Sequence, residues 1–548
     1  MPKPHSKGRM AGALLAFLPC LGCSAQIAIR RVALLPDLPA PYHLRDWRKT
    51  ALDFDKLAFE SNLSGPYLPL IWRVKGVPNL GDSSLSRPGF GMPSYVGQES
   101  TRGQAGEAIT QLGALLGGTA VGLDKSDWVE LAPQFLNPTE GLILNNVGGR
   151  SGGSFWYELL PSLDFVQLAS RYPKYARGRK ISRQIAKSWL VRLDALGGNF
   201  DHTSIDPVTV KPIDNGMWHE PDASAAVAYL ELTEGLKSGE SKYLAGARRA
   251  LKSFQGTKFN PTYEVLSAYG VLAAAFLNAE RGDHWDTNQL MNWCFEPTSP
   301  NRTGWGMILG NWGGYDVGGL MGSTTDDGGY AFAMNTYLNA ATLAPVARYD
   351  SRYSASLAKW ILNLTNSARL YYPDELPAAN QSSSDWKGDP CHGLAYEGLR
   401  ASWAGKSPFA AGDAKRSGWA KTDFGMYGSG YVGLLGALVQ PTNVPMILKI
   451  DLRATDFLPE RAYPTSLYWN PYSQSKKVTV DLGSGAVRPY DAVSHRFLSA
   501  GRVKSSFTIT LASHQAAQIV LVPASKKAVV KSGNRELVDG VVIDFAVQ

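Results

Sequence analysis

The sequence predicts a mostly α-helical chain: an (α/α)6 toroid of helical hairpins followed by a small C-terminal antiparallel β-sandwich. Three observations lead there. Helical segments between about residues 150 and 440 alternate between apolar all round and apolar on one stripe. Long Gly- and aromatic-rich stretches precede the all-round apolar ones. After Gln440 the hydrophobic period changes to two.

The first element is a leader. Lys3, Lys7 and Arg9 precede the apolar run Met10 to Leu18 and the small residues Gly22-Cys23-Ser24-Ala25, the order of a signal peptide over residues 1–25. The expected protein is therefore exported, periplasmic or secreted. Leu21-Gly22-Cys23 is similar to a lipobox, which adds a lipid anchor at Cys23 as an alternative. No stretch is long enough to cross a bilayer, so no transmembrane segment is expected. Losing the leader lowers the net charge from +8 to +5, an excess that suits an anionic partner only weakly. The basic residues are dispersed, which argues against nucleic acid. Cys294 and Cys391 remain after cleavage. They allow one disulfide, but no Cys-x-x-Cys spacing supports zinc or redox chemistry.

The helical domain is expected over residues 26–440. Phe155 to Tyr172, Tyr263 to Ala279, Gly329 to Ala344 and Tyr427 to Leu438 are apolar on every face and must be covered all round. Lys180 to Leu196 shows Ile181, Ile185, Trp189 and Leu193 on one stripe, and Ser241 to Phe254 and Arg352 to Thr365 follow the same pattern. Asp46 to Glu60 and Gln104 to Val121 supply another pair. Buried helices taking turns with half-wet ones are what a closed ring of hairpins produces. Phe155, Leu266 and Phe332 then belong to inner helices, and Lys187, Arg248 and Lys359 to the outer wall. Residues 441–548 read as short strands such as Val478-x-Val480-x-Leu482 and Phe507-x-Ile509-x-Leu511, separated by Gly483-Ser484-Gly485 and Ser532-Gly533-Asn534. A supporting or glycan-binding role fits this part better than catalysis.

Chemistry is expected where the buried helices begin, because side chains there converge on one mouth. Each start joins aromatics to a carboxylate or histidine: Trp156-Tyr157-Glu158, Trp218-His219-Glu220-Pro221-Asp222, Tyr263-Glu264 and Asp326-Asp327-Gly328-Gly329-Tyr330. Asp389-Pro390-Cys391-His392 with Glu397 is a further candidate. Acidic residues in a first turn also serve as caps, which is the competing explanation for each. Capping does not account for the aromatics or for two adjacent aspartates. The 15 Trp and 24 Tyr point to stacking on flat apolar faces, of which sugars are the usual kind. Trp156, Trp218, Trp312, Tyr315 and Tyr330 are the expected stacking residues, and Arg150 and His392 the expected polar contacts. An acid and base pair is drawn from Asp326 or Asp327 with Glu220, with Glu158 in reserve and His219 orienting Glu220. His219-Glu220-x-Asp222 matches no strong ligand spacing, and neither metal nor cofactor is assigned. No Gly-x-Ser-x-Gly elbow supports acyl transfer.

The alternating helices, the aromatic and acidic helix starts and the strand-rich tail after Gln440 together resemble the six-hairpin, (α/α)6-toroid glycoside hydrolases and the related toroid polysaccharide lyases, over about residues 42 to 523. The resemblance implies an enzyme acting on a poly- or oligosaccharide, often in the bacterial envelope. Glycoside hydrolysis by paired carboxylates is the leading expectation. The alternative is β-elimination of a uronate polymer, with Asn146, Arg150, His202, His219 and Tyr330 able to take part. A non-catalytic glycan-binding envelope protein is the third reading.

Overall fold

The computed structural model describes residues 25–545 apart from 80–81, 301, 324–328 and 527. Residues 1–24 of the expected leader, with Cys23, and Asp326 and Asp327 lie outside the described residues. Six inner stations pack in a circuit: Ala108–Ala120, Phe155–Arg171, Ala223–Ser238, Leu266–Arg281, Ala333–Leu343, and the pair Met426–Gly430 and Val432–Leu438. Each packs on the next, and the last returns to the first, which closes a ring. Trp47–Phe59, Ala176–Ala195, Ser241–Gly256, Thr287–Phe295 and Ser354–Ala368 lie outside it. Between the first two inner helices the outer member shrinks to the one-turn helix Ser126–Val129 and the 3-10 turn Ala132–Phe135.

The patterns explain this arrangement. In Ala176–Ala195 the stripe Ile181, Ile185, Trp189 and Leu193 is buried while Lys187 faces water. Arg248 pairs with Asp283 at 2.7 Å and Lys359 with Asp37 at 2.8 Å on the outer wall. Ring closure depends on glycine. A Cβ on Gly117 would collide with the Gly430 carbonyl, and one on Gly433 with the Gly117 carbonyl, so these two helices meet backbone to backbone.

One expectation is corrected. Phe332 is not in an inner helix: Tyr330–Phe332 is a strand, and the helix begins at Ala333. Tyr330–Phe332 is held on one side by Gly398–Arg400 and on the other by Met321–Ser323, within a five-stranded antiparallel sheet completed by Trp305–Met307 and Phe409–Ala411. This sheet stands at the mouth of the ring. Cys294 and Cys391 are both free, the first buried and the second exposed, so the disulfide the sequence allowed is not formed.

Strands follow directly on the last inner helix. A seven-stranded antiparallel sheet runs from Val439–Pro441 through the long Lys476–Asp491, which pairs with both Val503–Leu511 and Ala516–Pro523, and a three-stranded meander ends the described chain. The sheet rests on the outer helix Ser354–Ala368. Its connecting segment 452–464 crosses the end of the ring away from the mouth, where Arg348 donates to Asp456 at 2.9 Å and to Glu460 at 3.0 Å. No described helix is long and apolar enough to cross a membrane.

Candidate active site

The inner-helix starts surround a cleft of about 390 Å³. Among the described residues three carboxylates line it, each brought by a different part of the ring: Glu107, Glu264 and Glu397. Trp156, Tyr157, Phe332, Trp419 and Tyr427 form aromatic walls. Tyr157 and Trp419 are 53% and 57% exposed, far more than a core aromatic, so their faces are open to a ligand at the rim.

Glu264 lies two residues before helix Leu266–Arg281 with φ +53, a left-handed conformation that a glutamate adopts at a cost of about 1–3 kcal/mol. Asp222 stabilises this turn by accepting the Tyr263 N–H at 3.0 Å. Arg302 lies between the rings of Tyr263 and Trp218, at 3.9 and 4.1 Å from their centroids. Burial pushes the Glu264 carboxyl up to about 7 against the opposing effects of Tyr263 and Arg302, and its Oε2 has no hydrogen-bond partner among the described residues. A carboxyl that keeps a proton up to about pH 7 can serve as a proton donor.

Glu397 precedes strand Gly398–Arg400. Its N–H donates to the Asp423 carbonyl at 3.0 Å and its carbonyl accepts from Ala333 N at 2.9 Å, so the backbone is fixed at both ends. The side chain accepts from Tyr427 Oη at 2.7 Å, Tyr95 Oη at 3.0 Å and the Asp413 N–H. Burial still outweighs these donors and raises it to about 7. Glu107, at the start of helix Ala108–Ala120, is only half buried and accepts from Ser94 Oγ at 2.6 Å.

Glu220, Glu158 and His219, from the expected acid and base group, do not line this cleft, whereas Glu264, Glu397 and Trp156, also candidates in the sequence, do. Glu220 is buried behind the wall and saturated: it accepts from Ser154 Oγ at 2.8 Å, Trp156 N at 2.8 Å and Trp218 Nε1 at 3.2 Å, with Arg302 at 3.3 Å. Burial raises its pKa, but the group serves to hold Trp156 and Arg302. Glu158 is also enclosed, raised to about 7 by burial, and accepts from Gly152 N at 2.8 Å and Ser204 Oγ at 2.6 Å. His219 sits between Asp201 at 3.0 Å and Asp214 at 3.4 Å, and His202 shares Asp214 at 2.9 Å. Asp222 makes no side-chain cap on its own helix, because its carboxylate accepts from the Tyr263 N–H instead.

Of the expected stacking residues, Trp156 is on the cleft wall. Trp218 covers Arg302, and Trp312 and Tyr315 belong to the small hairpin beside Gly329. Tyr330 is buried behind Phe332 at 5.9 Å between ring centroids, under the Arg400 guanidinium. Arg150 is exposed on its loop, and His392 is 3.7 Å from Asp374. Tyr263-Glu264 had the right signature, an aromatic beside a carboxylate at a helix start. Glu107 and Trp419 carried no such signal.

No family model matches the sequence, and no curated protein matches it. Among solved structures the chain is similar to a metagenome-derived glycoside hydrolase family 9 endoglucanase, with TM-score 0.41 and 12% identity over 71% of this chain and 80% of that one. It is similar also to a family 127 β-arabinofuranosidase, with TM-score 0.36 and 10% identity over 93% and 84% of the two chains. An unsaturated glucuronyl hydrolase from a streptococcus gives TM-score 0.28 and 10% identity over 60% and 91%. These are likenesses in the general course of the chain.

Proposed function

We propose that the chain is a glycoside hydrolase on a six-hairpin toroid, acting outside the cytoplasm after loss of residues 1–25, with residues 26–440 as the catalytic unit and 441–548 as its support. The observation that carries the reading is the convergence of three carboxylates, from three separate helix or strand starts, on one aromatic-walled cleft. Glycoside hydrolysis needs a carboxyl that is protonated and a carboxylate across the scissile bond from it. Glu264 is the proton donor: it gives its proton to the glycosidic oxygen as the bond to the anomeric carbon breaks. Glu107, half buried and within reach of solvent, takes the proton of the attacking water or attacks the anomeric carbon itself. The separation of the two carboxyls in the complex decides between these, and the anomer of the first product reads it. Glu397 is a positioning residue that holds the Tyr95 and Tyr427 phenols on the wall.

Tyr95, Tyr330 and Tyr427 are all pushed well above the ordinary tyrosine range by burial. That makes them poor bases for β-elimination. Purified protein incubated with a panel of neutral and acidic glycans should release reducing ends without the absorbance of unsaturated uronates. Glu264→Gln and Glu107→Gln, folded by circular dichroism, should each lose about 10²-fold or more of the rate. Full activity in both would overturn the assignment. Release of unsaturated product would favour the lyase, and binding without turnover a glycan-binding protein.

A further inference from the structure

At the opposite end of the ring lies a second recess of about 910 Å³ that the proposed reaction does not use. Its walls come from the C-terminal ends of Phe155–Arg171 and Ala223–Ser238, the first turns of Ala176–Ala195 and the crossing segment 453–461. Among the described residues seven basic side chains line it against three acidic ones. The acidic ones are already engaged: Asp456 and Glu460 with Arg348, and Glu234 with Arg183 at 3.9 Å.

Helix electrostatics explains only part of this charge. Arg171 and Lys237 sit at helix C-termini, where the dipole favours a cation. Arg179 and Lys180 sit near the start of a 20-residue helix with no acidic residue in its first turn, where the dipole disfavours them. Two guanidiniums, Arg171 and Arg453, are crowded together. Arg171 lies over the Phe457 ring at 4.9 Å, and burial followed by the neighbouring Arg453 charge pushes its guanidinium pKa down. Arg171 Nε and Arg453 Nε and Nη1 are buried without a hydrogen-bond partner among the described residues. Unpaired buried donors on like charges are costly, and an anion between them would relieve both costs.

We propose that this recess binds an acidic oligosaccharide, a segment whose carboxylate or sulfate groups are neutralised by Arg171, Arg453, Arg179 and Lys180. The volume falls within the range of sites that enclose an organic ligand and is far more than one inorganic ion fills. The recessed shape excludes the flat face of a bilayer. That the site takes an anion stands on the charges alone; that the anion is a carbohydrate rests on the glycosidase reading. The protein would then hold an acidic polymer at one end while cleaving glycosidic bonds at the other.

The test is calorimetric titration of the full chain with tetragalacturonate, a neutral cello-oligosaccharide, inorganic phosphate and phosphatidylglycerol vesicles. The acidic oligosaccharide should bind in a salt-sensitive manner, and the neutral one should not bind in the recess. The double variant Arg179→Glu, Lys180→Glu should lose roughly tenfold or more in affinity, with turnover of the panel substrate unchanged. Arg453→Met is the second variant, expected to lose affinity while gaining thermal stability, because it removes a crowded charge. No binding of the tetragalacturonate by wild type, or equal binding by both variants, overturns the proposal, as does binding to vesicles alone or to phosphate alone. If the glycosidase reading fails instead, turnover is absent while the salt-sensitive binding persists.

Discussion

Carboxylates stand at the starts of both outer and inner helices, but they do different things there. On the outer wall Asp46 accepts the Lys49 N–H and Asp286 the Gln289 N–H, each at 2.9 Å, so each caps its own helix. On the inner circuit Glu107 and Asp222 occupy the same cap position and make no side-chain cap. Glu107 turns to Ser94 and the cleft, Asp222 to the Tyr263 backbone, and Glu264 lies just before its helix in a strained turn. The helix dipole should lower the pKa of a carboxyl placed at such a start. Burial nevertheless raises Glu264 to about 7. Where a carboxylate leaves the cap free and accepts desolvation, the fold is spending stability on chemistry rather than on the helix.

The largest effect expected from breaking this distinction is at Glu264. Glu264→Gln should lower turnover by about 10²- to 10⁴-fold, the contribution of a general acid. Its melting temperature at pH 8 should match or exceed that of the wild type, because a neutral amide replaces a carboxyl that is costly to ionise there. Loss of activity with a matching loss of folded protein would make Glu264 a structural residue.

This contrast also marks what could be read in the sequence. Alternation between all-round and one-sided apolar segments located the inner and outer helices, since Ile181, Ile185, Trp189 and Leu193 repeat at helical spacing whatever the tertiary context. The mouth was legible too, as the place where aromatic and acidic residues gather at helix starts. Which carboxylate faces the cleft was not legible. Glu220 and Glu264 have the same local signature, and only the folded chain shows that Ser154, Trp156 and Arg302 saturate the first. The mouth sheet escaped notice because strands such as Gly398–Arg400 and Phe409–Ala411 are three residues long, too short for a period of two to appear. Glu397 depends on that sheet and on tyrosines more than 300 residues away and nearby in sequence, Tyr95 and Tyr427.

The raised carboxyls sharpen the comparison through pH. Glu158, Glu264 and Glu397 each move from an ordinary glutamate value of 4.5 to about 7 on folding, and Asp164 from 3.8 to about 8. Between those limits the folded state holds more protons than the unfolded one, so stability falls as pH rises. The stabilising contribution is complete below about pH 4 and is lost through pH 7 to 8. Thermal melts should therefore give a higher midpoint at pH 5 than at pH 8, and the drop should be smaller in Glu264→Gln. Turnover should fall above about pH 7 as the proton donor ionises. A melting midpoint that rises over this range would show that the carboxyls are not protonated in the folded protein.

A smaller effect is expected at the rim. Trp419→Ala removes an exposed stacking face and leaves the carboxylates in place, so KM should rise several-fold, in line with about 0.5–1.5 kcal/mol for an aromatic contact, while kcat changes little.

The smallest change is expected from Asp46→Ala, and it tests the outer half of the comparison. Asp46 is exposed, lies at the start of Trp47–Phe59 and gives its carboxylate oxygen to the Lys49 N–H. Removing a cap of this kind costs about 1 kcal/mol, because one backbone donor returns to water and the favourable dipole interaction is lost. Trp47, Thr50, Ala51 and Phe54 keep that helix seated against the ring by burial, so local fraying should not reach the cleft. Denaturant melts should show the loss, and kcat/KM should stay within twofold of wild type. If Asp46→Ala lowered activity as Glu264→Gln does, helix starts on both walls would share one role, and the assignment of chemistry to the inner circuit would fall.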